Sequence, residues 1–401
     1  MQIGANFYFS MGFRPCRVTL CAYRLVTPVF FYILPSLFLA MYLANFIRRA
    51  SNLRPCLQTR HFFSLSSLLP SNPPLLALSP ATMATPSLRT LPDCWGHRGA
   101  SSRFPENTLA SFEAAMRDGA EGIESDVHVS ADNVVLMFHD PALGRTTDST
   151  GEIRERNWYG EGGMQHVRTV KEPKQAIPTF SETIALLMQP ENQHIKFNVD
   201  VKVQNDPDRL FSLMHDTISA QPNWETALAP RILLGLWHPR FISFAKARLP
   251  YCRRSYIGQS TYLARKYFWK DCDAFSMSFA ALTTTDGQKF RSECKEAGKN
   301  VMVWTVNEPD HMMEAVRWGV NGIITDTTKT WLDLRSALQT DYEKIGSQYG
   351  RFFLWTTLKF YTPVILAYSR KSQSYLESIA GPFEDPSSVV VAPTPIIQAK
   401  A

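Results

Sequence analysis

Between residues 92 and 338 the chain alternates short apolar runs with segments of helical period. The runs cover 94–97, 122–127, 134–139, 195–202, 232–236, 254–258, 274–278, 301–306 and 322–325. Helical segments separate most of them. In 109–117, for example, Leu109, Phe112, Ala115 and Met116 share one face and Gly119 follows as a stop. Strand and helix repeating over a stretch of roughly 250 residues predicts an α/β fold, a TIM (β/α)8 barrel. A doubly wound sheet is the alternative, weakened because no Gly-rich nucleotide turn follows the first run. Nine runs exceed eight strands, and Val127 and Val134 are too close to enclose a helix. Ala131, Asp132 and Asn133 supply turn chemistry, so 134–139 is expected to be a hairpin-like excursion that returns His139 beside Glu124. A parallel strand there would also deliver His139 to the barrel mouth.

The ends read differently. Residues 28–47 carry no charge and reach the ~20 residues of a membrane-spanning helix. Arg24 on one side and Arg48 with Arg49 on the other leave its orientation open. From Met1 to Pro92 there is no Asp or Glu, whereas Arg14, Arg17, Arg24, Arg48, Arg49, Arg54, Arg60 and Arg89 fall there, which accounts for the net charge of +6. A basic excess confined to one end argues against a nucleic-acid-binding body and for a targeting or membrane-facing extension. The Arg- and Ser-rich stretch to Thr90 also has the composition of a mitochondrial transit peptide, so a mitochondrial or endomembrane location is expected; a start at Met83 would remove the segment. Residues 352–369 contain one charge, Lys359, and are flanked by Arg351, Arg370 and Lys371. That pattern suits a helix at a membrane interface or one packed across the barrel. The expected division is therefore an extension over 1–91, a barrel over 92–338, a membrane-associating tail over 339–378 and a disordered tail over 379–401. The seven cysteines are scattered with no C-x-x-C pair, which argues against a disulfide framework or zinc knuckle; Cys94 and Cys272 read as small buried hydrophobes.

Barrel strands are buried on both faces and should be almost continuously apolar. Glu124 and Asp126 break that rule on one face of their run, and Asp200 and Lys202 do so on another. Carboxylates inside a strand cost several kcal/mol unless partnered. A divalent cation held by Glu124, Asp126 and Asp200 is the most economical partner, with an ion-pair cluster involving Lys202 and Arg98 as the alternative. His97 and His139 end their runs, where a barrel places its active-site face, so both imidazoles should meet the carboxylates there as acid and base. His61, His128, His166, His194, His215, His238 and His311 lack such company and read as surface or packing residues.

The ordered set His97-Arg98-Gly99, Pro105-Glu106-Asn107-Thr108, Ile123-Glu124-Ser125-Asp126-Val127, His139-Asp140 with Arg145-Thr146-Thr147, Val303-Trp304-Thr305-Val306-Asn307 and Gly322-Ile323-Ile324-Thr325-Asp326 resembles the glycerophosphodiester phosphodiesterase family. The resemblance implies a TIM barrel, a Ca²⁺ or Mg²⁺ ion and hydrolysis of a phosphodiester bearing glycerol. It carries metal ligation to Glu124 and Asp126, acid and base roles to His97 and His139, and phosphate binding to Arg98. Two departures stand out: Asp200-Val201-Lys202 replaces a common Glu-x-Lys, leaving the third ligand one methylene short, and Gly235-Leu236-Trp237-His238 replaces a common Ser-Phe ending. With Trp304 and the hydrophobic tail, these resemble the fungal phosphatidylglycerol-specific phospholipase C branch, which implies a membrane phospholipid as substrate.

On this reading the cation, Arg98 and Lys202 bind the phosphate oxygens, Trp304 packs against the glycerol chain, one histidine takes a proton from the attacking oxygen and the other protonates the leaving one. The nucleophile is either the vicinal hydroxyl of the glycerol, giving a cyclic phosphate, or a water. The expected products from phosphatidylglycerol are diacylglycerol and glycerol 3-phosphate, the alternative substrate being a deacylated diester. A barrel kept only as an inactive binding module would have lost a histidine or carboxylate, and none is lost.

Overall fold

The computed structural model describes residues 90–350 and 361–391. Its strands are β1 (Asp93–His97), β2 (Gly122–Val129), β3 (Val135–Met137), β4 (Lys196–Val201), β5 (Ile232–Leu236), β6 (Arg253–Gly258), β7 (Ala274–Ser278), β8 (Asn300–Trp304) and β9 (Gly322–Thr325). All but β3 are parallel, and β1 pairs with both β2 and β9, so eight strands close into a barrel. The principal helices are α1 (Leu109–Asp118), α2 (Phe180–Met188), α3 (Pro207–Ser219), α4 (Arg240–Arg248), α5 (Thr285–Glu296), α6 (Pro309–Trp318), α7 (Thr328–Thr340) and α8 (Tyr361–Ala380).

Local chemistry sets the boundaries. Thr108 caps α1 by accepting from the Ser111 amide, Ser111 Oγ answers on the Thr108 amide, and Gly119 ends the helix at φ +101°. Phe112 and Ala115 of α1 are fully buried against the barrel wall. Inside the barrel, Trp95, Leu233, Ala274, Met302 and Ile324 form an apolar floor. Gly122 is required beside it, since a Cβ there would lie 2.4 Å from the Trp95 ring. The polar side chains are thereby confined to the upper, C-terminal end of the strands.

The ninth run is the expected excursion. β3 pairs antiparallel with the far end of β2, Val127 opposite Met137 and Val129 opposite Val135. Residues 139–178 then build a satellite core from Leu143, Ile153, Trp158, Met164, Val167 and Ile177 against Leu136 and Phe138. Lys171 ties this excursion to the loop after β1, its Nζ donating to the carbonyls of Ser101 (2.7 Å), Phe104 (3.0 Å) and Ser102 (3.1 Å). Cys94, Cys252, Cys272 and Cys294 are free, buried thiols, and burial raises the pKa of each.

The uncharged run 28–47 and the rest of the N-terminal extension up to residue 89 lie outside the described residues. Among the described residues no helix is long and apolar enough to cross a membrane. α8 packs on the barrel through Leu376 and Ala380 while exposing Val364, Leu366, Tyr368, Tyr375 and Ile379. At the start of the stretch expected to be disordered, α8 runs to Ala380, Gly381 turns the chain at φ +87°, and Phe383 is buried; residues 392–401 lie outside the described residues. A Pro- and Val-rich composition hid a single well-buried aromatic anchor.

Candidate active site

Strand alternation places His97 of β1, Glu124 and Asp126 of β2, and Asp200 of β4 on the inner face. Parallel register sets Asp126 opposite Asp200, so the two carboxylates lie side by side on adjacent strands. One oxygen from each of Glu124, Asp126 and Asp200 falls within 4.8 Å of the others, and all three residues are buried. Among the described residues this is the one such cluster of metal-ligating groups. Lys202 spans it, with Nζ 2.7 Å from Asp126 Oδ1 and 2.8 Å from Asp200 Oδ2. The second Asp200 oxygen accepts from Trp237 Nε1 at 2.6 Å.

Arg98 enters from the loop after β1 with φ +57°, a left-handed conformation that costs a non-glycine residue about 1–2 kcal/mol. Hydrogen bonds hold it there. Its amide donates to the Glu124 carbonyl (2.9 Å) and Glu124 Oε2 (3.1 Å), and its carbonyl accepts from Asn107 N and Ser111 Oγ. Gly99, next in sequence at φ +80°, passes so close to Ser111 that a Cβ would lie 2.5 Å from its backbone carbon. The guanidinium is thereby turned inward, Nε 3.4 Å from Asp126 Oδ2 and Nη1 2.9 Å from Glu106 Oε1. Asn107 donates to Asp126 at 2.8 Å.

Each histidine has a carboxylate behind it. His97 Nδ1 is 2.7 Å from Asp326 Oδ1, and Asp326 is fixed by Ser101 Oγ (2.8 Å) and Asn307 Nδ2 (2.6 Å). This leaves His97 Nε2 facing the cluster, 4.0 Å from Glu124 Oε2. His139 Nδ1 is 2.6 Å from Asp140 Oδ1. Asp140 also receives Arg145, which forks onto Glu106, so a continuous chain of charge runs from His139 to Arg98. The hairpin brings His139 next to Asp126 rather than Glu124, because Phe138 N pairs with the Asp126 carbonyl. His128, fully enclosed, bonds the His139 carbonyl at 3.1 Å, and its burial pulls its pKa down to about 4.

The electrostatics separate these groups. Burial, reinforced by Asp126, pushes Glu124 up to about 8. Asp126 is equally buried, yet Lys202, His139 and Arg98 hold it well below the usual carboxylate range. Burial raises Asp200 against the opposing pull of Lys202. Burial and Arg98 lower His97, but the Asp326 hydrogen bond and the Glu124 charge outweigh them and leave its pKa raised. Burial and then Lys202 bring His139 down to about 4. Trp304 stands at the mouth, its Nε1 on the Ser276 carbonyl at 3.0 Å and its ring against Trp237 with centroids 5.8 Å apart.

All eight residues singled out from the sequence, His97, Arg98, Glu124, Asp126, His139, Asp200, Lys202 and Trp304, thus line one mouth. Sequence reasoning gave no role to Asp326, Asp140, Glu106, Asn107 or Trp237. The first four lie within the quoted motifs and the last within a quoted departure, but none marks its partner, which is as far as 229 residues away for Asp326.

The family model for the glycerophosphoryl diester phosphodiesterase family matches residues 97–330. A glycerophosphodiester phosphodiesterase of Caldanaerobacter subterraneus subsp. tengcongensis is 24% identical over 242 residues, which is 59% of this chain and 95% of that one. Glycerophosphodiester phosphodiesterase 1 of Bos taurus is 35% identical over 114 residues, 26% of this chain and 32% of that one. In fold, the chain is similar to an Oleispira antarctica phosphodiesterase solved with its product sn-glycerol-3-phosphate (TM-score 0.51, 23% identity, 62% of this chain and 97% of that one). It is also similar to a Silicibacter pomeroyi protein described as a glycerophosphoryl diester phosphodiesterase (TM-score 0.52, 20% identity, 61% and 93%). With the match extending from His97 at the end of β1 past the last barrel strand, the chain belongs to the glycerophosphoryl diester phosphodiesterase family, whose members are phosphoric diester hydrolases.

Proposed function

We propose that this protein hydrolyses glycerophosphodiesters to glycerol 3-phosphate and an alcohol, with a divalent ion held by Glu124, Asp126 and Asp200. The observation that carries the proposal is three buried carboxylates converging within 4.8 Å between two carboxylate-backed histidines. An all-oxygen donor set of three buried carboxylates, one of them pushed up to about 8 by burial and the neighbouring Asp126 charge, fits Ca²⁺ or Mg²⁺. Bound there, the ion would supply Lewis-acid polarisation of a phosphate oxygen.

The remaining work falls to side chains. Arg98 and Lys202 bind the other phosphate oxygens and offset charge gathering on them. His139 enters turnover neutral, its Nδ1–H committed to Asp140, so its Nε2 takes the proton from the attacking oxygen. His97, whose protonated form the Asp326 carboxylate favours, gives its Nε2 proton to the departing oxygen. Trp237 and Trp304 wall one side of the mouth against water and the organic arms of the diester.

A second reading, cleavage of phosphatidylglycerol to diacylglycerol and glycerol 3-phosphate at a membrane, is favoured by the exposed Val364, Tyr368, Tyr375 and Ile379, which recur along one side of α8. The names of the relatives favour the deacylated diester. Side-by-side assay of glycerophosphocholine, glycerophosphoglycerol and phosphatidylglycerol vesicles decides between them. Faster release of glycerol 3-phosphate from the deacylated diesters is expected; faster release of diacylglycerol from vesicles would make the phospholipase reading the correct one, and turnover of neither would refute both.

A further inference from the structure

We propose that residues 361–391 are a positioning element of the active centre, holding Trp237 on Asp200. This rests on the reading of Asp200 as a metal ligand. Trp237 Nε1 occupies Asp200 Oδ1 at 2.6 Å while Lys202 occupies Oδ2 at 2.8 Å. A carboxylate engaged at both oxygens cannot rotate freely, so the direction of its remaining lone pairs depends on where the indole sits. Beside the indole is a space enclosed jointly by Tyr256, Gly258 and Leu263 of the barrel and by the C-terminal segment. Leu376, Gln373 and Ser369 of α8 share a small cavity with Trp237 and Gln259.

A second set of contacts fixes the residue after Trp237. His238 is 1% exposed. Its Nδ1 accepts from Arg240 N at 3.2 Å, so Nε2 carries the hydrogen and donates to the Gly381 carbonyl at 3.0 Å. The Phe383 ring covers the imidazole, centroids 4.4 Å apart, and also meets Tyr267 at 5.6 Å. Ser243 Oγ of α4 donates to the Pro386 carbonyl, and Gln204, just beyond β4, donates to the Tyr375 hydroxyl at 3.0 Å. The segment therefore clasps the upper ends of β4 and β5, the strands that lead to Asp200, Lys202 and Trp237. Nothing in the barrel's own closure needs these contacts, since its strands already pair around the full ring.

The test uses the full chain stripped with chelator and titrated with CaCl₂ by calorimetry, so that ion binding is read without turnover. Trp237→Phe, which removes the donor and keeps the ring, is expected to weaken Ca²⁺ binding by about 10- to 100-fold, the usual effect of losing a partner behind a ligand. Phe383→Ala should weaken it in the same direction, Phe383→Leu should restore most of the loss, and Trp237→Phe/Phe383→Ala should be no weaker than Trp237→Phe alone. If Phe383→Ala loses its near-ultraviolet circular dichroism, Ser243→Ala carries the same expectation at smaller size, since it removes a clasp contact without opening a large cavity. Unchanged binding in the clasp variants, or losses that simply add to that of Trp237→Phe, would overturn the proposal. A parent protein that binds no divalent ion would overturn both this and the reading of the site.

Discussion

Replacing Asp326 with Asn tests whether His97 works as a carboxylate-held acid. Asp326 Oδ1 accepts from both His97 Nδ1 (2.7 Å) and Ser101 Oγ (2.8 Å), and Oδ2 accepts from Asn307 Nδ2 (2.6 Å). An asparagine cannot satisfy all three. With its carbonyl toward His97, its NH₂ meets the NH₂ of Asn307; reversed, it presents a donor to His97 Nδ1 and drives the imidazole into the other tautomer. Either way a charge-assisted bond, about 1.5–3 kcal/mol, is lost, which corresponds to a roughly 10- to 150-fold fall in kcat/KM at neutral pH. The sign of the pH effect follows from the same contact. Asp326 raises the pKa of His97, so removing its charge lowers that pKa and the protonated acid disappears at lower pH. The assay is kcat/KM against pH at saturating metal, with near-ultraviolet circular dichroism as the fold control. The alkaline limb should move to lower pH; a profile superimposable on the parent would refute the role given to the pair.

Three further outcomes are expected. Glu124→Ala and Asp126→Ala should each abolish turnover in a folded barrel, and Asp200→Glu should retain more activity than Asp200→Ala, as read by diester hydrolysis alongside thermal melting. His97→Ala and His139→Ala should each cost about 10²- to 10⁴-fold in kcat, with the double variant little worse than either, whereas additive losses would indicate unrelated roles. In chelator, the raised pKa of Glu124 contributes stability that is full below its ordinary 4.5 and is lost as pH rises through about 8. His128 and His139, both lowered to about 4, add stability as pH rises to their ordinary 6.5 and oppose the loss there, so melting temperature should decline from about 6.5 towards 8, and less steeply in Glu124→Gln; Asp126, shifted downward, acts only at pH below its ordinary 3.8.

The parts of this site legible in the sequence were those that violate a strong local expectation. Glu124, Asp126, Asp200 and Lys202 interrupt buried strands, where an unpartnered charge is costly, and His97 and His139 fall at strand ends. Partnership was not legible. Asp326 reaches His97 only because barrel closure pairs β9 with β1, and Trp237 reaches Asp200 only because β5 lies beside β4. The position of His139 depended on hairpin register, which a run of apolar residues does not specify to a single residue. The docked tail was hidden for a different reason: its anchor is one phenylalanine among prolines and valines, and the surface that receives it joins His238, from the loop after β5, to Tyr267, from the helical turn Ala264–Phe268 after β6.

The proposed diester hydrolysis carries one requirement above the others, a divalent ion held by Glu124, Asp126 and Asp200. Its most direct test is release of glycerol 3-phosphate from glycerophosphodiesters by the purified full chain, followed by ³¹P NMR in excess EDTA and again after adding back Ca²⁺ or Mg²⁺. Hydrolysis should stop in EDTA and resume when one of the two ions is restored in excess, with Asp126→Ala silent in both conditions. Full activity in EDTA would contradict the account.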